Sequence, residues 1–343
     1  MIRKKALVVC PGRGTYNKEE LGYFSRHHDN NLDLLSAFDA KRTALGQETL
    51  SALDRAERYS IARHTSGDNA SALIYACAIS DFAAINREEY DIVAVTGNSM
   101  GWYIAPACVG TLDEMGGFVV INTMGTLMQK SLIGGQIIYP FVDENWVEIP
   151  GKRAALLAMT KEIPNLYISI HLGGMIVFAG GAEALDEAEG RLEPAMDRFP
   201  ARLQNHAGFH SPLQTPISQK GLAALPASMF SSPDIPLIDG RGHIWYPQMI
   251  GISALHDYTL GHQVIKPYDF SRAITNWLRE FAPDVLIVLG PGNTLGGAVA
   301  QCLIQNEWKR ITDKNSFVSQ QATDPFVLSM GLENQREMVT SHS

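Results

Sequence analysis

The chain has 343 residues, 45% apolar and 19% charged, with 28 basic against 36 acidic side chains and a formal net charge of −8. A chain of this size buries enough surface to fold without a disulfide or metal staple, and its composition excludes intrinsic disorder. The acidic balance argues against a nucleic-acid partner, because phosphate binding needs a basic surface.

The basic N-terminus leads into an apolar run at residues 6–10 that stops at Pro11-Gly12 and reads as a buried strand. That run is shorter than the roughly 7–15 apolar residues of a secretory signal. No stretch reaches the ~18 apolar residues of a membrane helix. A soluble, cytoplasmic protein is the expectation. Residues 17–57 are more polar and read as helical in pieces. A helix is expected over 69–85, with Asp68 or Asn69 as its cap. A second short strand at 92–95 runs straight into Gly97-Asn98-Ser99-Met100-Gly101. Residues 113–132 read as a helix despite Gly116, Gly117 and Gly125, each costing about 1 kcal/mol there.

The middle of the chain changes texture. A strand at 136–141 is followed by a helix near 151–161, then strands at 167–171 and 175–179 joined by Gly173-Gly174, a hairpin signal. An amphipathic helix at 182–192 and a last strand at 201–204 complete the order βαββαβ, the ferredoxin-like pattern. Residues 132–205 therefore read as a small inserted subdomain, and 1–131 with 206–343 as a large α/β subdomain. The α/β texture resumes with a helix at 269–281, a strand at 285–289 ended by Gly290-Pro291-Gly292-Asn293, and a helix from 294 to 303. The polar tail after Asn306 shows no pattern that places it.

The strand–GNSMG–helix context is that of a nucleophile elbow. Its tight turn needs small residues at both ends, which Gly97 and Gly101 supply. Ser99 then stands at a helix N-terminus, where the dipole and free N–H groups favour an oxyanion. A serine hydroxyl needs a base, and ten histidines compete for that role. His27, His28 and His64 lie in polar stretches and are expected at the surface; His171 belongs to the small subdomain and His342 to the tail. His206 and His210 lie where the chain re-enters the large subdomain, and His210, followed by Ser-Pro, sits at a turn or helix start. Pro11-Gly12-Arg13-Gly14 follows the first strand, where glycine lets the backbone approach a ligand closely. A plain tight turn is the alternative there. No GK[ST] follows, so it is not a phosphate-binding P-loop. Cys10, Cys77, Cys108 and Cys302 form no CxxC pair, which argues against a zinc site, and they read mostly as buried thiols.

In order, these segments resemble the malonyl-CoA:acyl-carrier-protein transacylases and the related acyltransferase domains of polyketide synthases. PGRGTY stands where that family has PGQGSQ, GNSMGWY for GHSLGEY, MGTLMQ for RGxLMQ, AGFHSPL for AFHSPLM, and GPGNTLGG for GPGKVLTGL. The resemblance implies an α/β-hydrolase-like large subdomain with a parallel sheet, an inserted ferredoxin-like subdomain, and an active site between them. It implies Ser99 as nucleophile, His210 as base, and Gln263, in the segment His262-Gln263-Val264 before Pro267, orienting the histidine through its main-chain carbonyl. It implies the backbone N–H groups of Arg13 and Met100 as oxyanion donors. No cofactor or metal is implied: acyl-CoA is a substrate, and an acyl carrier protein is the acceptor.

Four positions depart from the family pattern. Met124 replaces the arginine that pairs with the malonyl carboxylate, Asn98 the histidine before the nucleophile, Trp102 the glutamate after SLG, and Arg13 the glutamine of PGQG. With Met124, Phe209 and Asn98 as acyl-binding residues, the pocket reads as suited to an uncharged, small or linear acyl group. The alternatives are malonyl transfer proper, an editing acyl hydrolase, and a non-catalytic docking partner of a synthase. A lipase-like triad needs an acid between Ser99 and His210. Asp113, Asp143, Asp186 and Asp197 are available, but none follows an evident strand.

Overall fold

The computed structural model describes residues 2–248 and 251–341; His342 lies outside them. The apolar runs of β1 (Lys4–Cys10), β2 (Tyr90–Gly97) and β10 (Val285–Val288) pair in parallel at the centre of a six-stranded sheet. Short strands β7 (Leu237–Ile238), β8 (Ile244–Trp245) and β11 (Val327–Ser329) complete it, in the order β11-β10-β1-β2-β7-β8. Every residue of β10 is buried, as expected of a parallel strand covered on both faces. The register pairs Cys10 with Gly97. The PGRG loop and the GNSMG turn therefore leave the sheet side by side, at the carboxyl ends of neighbouring strands, where open α/β sheets bind ligands.

Two long helices, Gly67–Ala84 and Glu114–Lys130, pack together beside this edge. A Cβ on Gly125 would lie 2.6 Å from the Gly67 carbonyl oxygen and 2.8 Å from Ser71 Oγ. The glycine that weakens the helix locally is what lets the two backbones meet. The first helix has Ser66 as its N-cap, and its side chain makes no capping bond. Asp68 and Asn69, expected as caps, lie inside the first turn instead. Asp113 does cap its helix, accepting from the Gly116 N–H at 2.5 Å.

The second sheet is built by β3 (Gly135–Pro140), β4 (Leu166–Leu172), β5 (Met175–Gly180) and β6 (Ala201–Arg202), with helices Lys152–Glu162 and Ala182–Arg191 between them. A two-residue strand from the large subdomain, β9 (Tyr268–Asp269), joins it parallel to β4. The order β6-β3-β5-β4-β9 is the ferredoxin-like arrangement extended by that strand. The hairpin turn Gly173-Gly174 is held to the large subdomain, with Gly174 N–H donating to Gln301 Oε1 at 2.9 Å.

Two expectations fail for the same reason: a polar stretch of sequence is not always surface. His28 and His64 are buried. His28 Nε2 and Arg336 Nη1 both meet Asp81 Oδ1, at 2.8 and 2.7 Å, and Tyr23 donates to Asp81 Oδ2 at 2.9 Å. The tail after Asn306 is also structured. It forms helix Lys314–Thr323, edge strand β11 and helix Glu333–Thr340, and it supplies Arg336 to that buried cluster. All four cysteines are free and buried.

Candidate active site

The elbow is shaped by close backbone packing. A Cβ on Gly97 would overlap the Gly101 backbone, and one on Gly101 would overlap the Cys10 carbonyl. Ser99 has φ +55°, a left-handed conformation that costs a non-glycine residue energy. Tyr268 OH donates to the Gly97 carbonyl at 2.5 Å and fixes the turn from the far side. His210 also sits at positive φ, +54°. Two strained residues face each other, and Ser99 Oγ lies 2.7 Å from His210 Nε2.

The tautomer of His210 follows from its other partner. Nδ1 lies 2.6 Å from the Gln263 carbonyl oxygen. A carbonyl only accepts, so Nδ1 carries the proton and Nε2 is free to accept from Ser99. Burial pushes the His210 pKa down to about 4, opposed in part by the bond to Gln263. The imidazole is therefore neutral and ready to take a proton at neutral pH. The Gln263 side chain is tied in as well: its Nε2 donates to the Ser99 carbonyl, and its Oε1 accepts from Tyr103 OH, both at 3.0 Å. Among the described residues, no aspartate takes the third place of a triad. Asp113 caps a helix and Asp186 pairs with Arg202, and the Gln263 carbonyl already occupies His210 Nδ1.

The dyad opens onto a cavity of about 320 Å³ between the two subdomains. The walls are mostly apolar, with Ile121 and Met128 on one side and Ile138, Ile170 and Val177 on the other. Asn98, Phe209, Met100 and Arg13 all line it. The Asn98 Oδ1 is buried without a partner among the described residues. Neither the Met100 nor the Arg13 backbone N–H has a hydrogen-bond partner among the described residues, so both are available to an oxyanion. The Arg13 guanidinium bends across the cavity wall. Its Nη2 donates to the carbonyls of Thr65 and Asn205, at 3.0 and 2.5 Å, and the group lies 5.7 Å from the Phe209 ring. Burial lowers its pKa to about 10, with Asp68 acting the other way.

Met124 does not belong with these residues. It is fully buried and absent from the cavity wall, and its sulfur lies 2.7 Å from where a Gly221 Cβ would stand. Its place in the motif puts it in the pocket; the helix turns it towards residues 215–224 instead, and Ile121, Gly125 and Met128 face the cavity. Sequence reasoning also passes over Tyr103 and Gln136, and it places His206 beside His210 without giving it a role. Tyr103 stands four residues after Ser99, on the same face of the helix that opens there. That spacing is a usable signal. Gln136 carries none.

No protein-family model and no curated protein matches the chain. Solved structures do. A malonyl-CoA:ACP transacylase from Synechocystis superposes with TM-score 0.72 at 16% identity, covering 98% of this chain and 99% of that one. The malonyl-CoA acyl carrier protein transacylase of Coxiella burnetii gives 0.74 at 17% identity over 99% and 100%. A malonyl-transacylase solved in complex with its type II polyketide synthase acyl-carrier protein gives 0.71 at 16% over 98% and 99%. Over nearly its whole length, the chain has the fold of the malonyl-CoA:acyl-carrier-protein transacylases.

Proposed function

We propose that the chain is an acyltransferase that carries an acyl group as an ester on Ser99, from an acyl-CoA to the phosphopantetheine thiol of an acyl carrier protein. The observation that carries this reading is the 2.7 Å contact between Ser99 Oγ and the unprotonated Nε2 of His210, at a cavity between two subdomains. His210 takes the Ser99 proton as Oγ attacks the thioester carbonyl. The N–H groups of Met100 and Arg13 receive the oxyanion. Collapse breaks the C–S bond, and His210 returns its proton to the departing CoA thiolate. The carrier thiol then gives its proton to His210 and attacks the ester, and Ser99 leaves with that proton. General-base catalysis of this kind contributes about 10²–10⁴-fold.

The apolar walls support an uncharged acyl group, and the Arg13 Nη2 is already committed to two carbonyls. Arg13 is also the one arginine or lysine on the described wall, and that favours malonyl transfer as the second reading. Intact-mass measurement after incubation with acetyl-, butyryl- and malonyl-CoA tests both. An acyl increment on the peptide holding Ser99, lost in Ser99→Ala, is expected, with malonyl slowest. An increment that persists in Ser99→Ala refutes the acyl-serine. Malonyl fastest, and lost in Arg13→Ala, establishes the second reading.

A further inference from the structure

His206 is a half-buried histidine on the cavity wall that the acyl-transfer chemistry does not use. Its protonation can be read from a chain of directed hydrogen bonds. Ser169 Oγ lies 2.8 Å from the Phe209 carbonyl, which only accepts, so the Ser169 proton points there. Ser169 Oγ must then accept from Gln136, whose Nε2 lies 2.6 Å away. That orients the Gln136 amide with Oε1 towards His206 Nδ1, at 2.8 Å. An amide oxygen only accepts, so Nδ1 carries the proton and Nε2 is a bare lone pair. Burial, reinforced by the Arg13 charge, lowers the His206 pKa to about 3, so the ring stays neutral. Nε2 has no partner among the described residues.

We infer that His206 binds substrate, with its Nε2 accepting a hydrogen bond from an N–H or O–H close to the thioester, beside the Arg13 guanidinium as donor. A group that both gives and accepts a hydrogen bond fits this pair. A carboxylate has no hydrogen for Nε2. Two sources carry the right chemistry: a secondary amide of the pantetheine arm, or a hydroxyl on the acyl chain. The edge-on packing of His206 against Phe209, with ring centroids 5.7 Å apart, holds the imidazole in place next to the catalytic segment. The inference rests on the acyl-transfer reading for the identity of the ligand.

The test is calorimetric binding in a Ser99→Ala background, where no transfer intervenes, so it is read separately from Ser99 acylation in the unaltered protein. The ligands are butyryl-CoA, 3-hydroxybutyryl-CoA and S-propyl thiobutyrate, which has neither amide nor hydroxyl. His206→Phe keeps the packing and removes the acceptor; His206→Leu replaces it if the Phe protein does not fold. A roughly tenfold loss is expected, the worth of one hydrogen bond. Loss confined to 3-hydroxybutyryl-CoA identifies an acyl hydroxyl. Equal loss for both CoA esters, with S-propyl thiobutyrate spared, identifies the amide. Equal loss for all three, no loss for any, or no binding at all overturns the inference.

Discussion

The Gln263 carbonyl is free to hold His210 Nδ1 at 2.6 Å because Pro267, four residues on, has no N–H to offer it. The residue before a proline is pushed out of the helical region. Lys266 is accordingly extended, at φ −125° and ψ 154°, and the helix ends at Ile265. Its last carbonyls are left without intrahelical partners, and one of them orients the His210 ring.

This relationship predicts an ordering of variants. His210→Ala is expected to slow Ser99 acylation about 10²–10⁴-fold. Gln263→Ala keeps the carbonyl but loses the bonds to Ser99 and Tyr103. At about 1 kcal/mol each, they predict a loss of roughly 30-fold. Acylation rates by rapid quench and mass spectrometry check the order; Gln263→Ala as damaging as His210→Ala refutes it.

The pH dependence has a definite sign. With His210 at about 4, its base form persists through the neutral range, and the acylation rate is expected to stay flat on acidification until the pH approaches that value. Stability behaves differently. Unfolded histidine titrates near about 6.5, whereas His210 and His206 are lowered to about 4 and 3. The stability that comes from holding them neutral is full above pH ~6.5 and is lost as pH falls towards the folded values. Urea midpoints are therefore expected to fall once the pH drops below about 6.5, and to fall more shallowly in His206→Phe.

Acyl-group selectivity is expected to follow the wall and not the sequence motif. Met124→Leu conserves volume away from the cavity, so it is expected to cost under about 1.5 kcal/mol and leave the butyryl-to-acetyl ratio unchanged. Met128→Ala and Ile121→Ala enlarge the cavity and are expected to raise that ratio. Competition between acyl-CoAs measures it, and a shift in Met124→Leu alone contradicts the placement.

Asp81 is fully buried between Arg336 and His28 and accepts from the Gly290 N–H at 2.8 Å. Removing one partner of a buried ion pair costs about 3–5 kcal/mol, because the other charge is left unpaired. Asp81→Asn is expected to lower the melting temperature by several degrees in a calorimetric scan. An unchanged melting temperature refutes a stabilising role for the cluster.

Elements whose period and turns are local can be read along the chain. The apolar run at β1, the GNSMG turn after β2, and the βαββαβ order with its Gly173-Gly174 hairpin are legible because short-range sterics and patterning dictate them. Ser99 is legible for the same reason, and Pro267 is visible as a break. What stands opposite what depends on how these elements pack. His206 and His210 are four residues apart, yet only the packed structure gives one a carbonyl from residue 263 and the other an amide from residue 136. The helix phase that turns Met124 away from the cavity comes from the close approach at Gly67 and Gly125. The polar tail acquires its place because Arg336 finds a buried carboxylate 255 residues away. Long-range pairing of charges and amides leaves no period in the chain, so it is settled only when the surfaces that carry those groups are packed together.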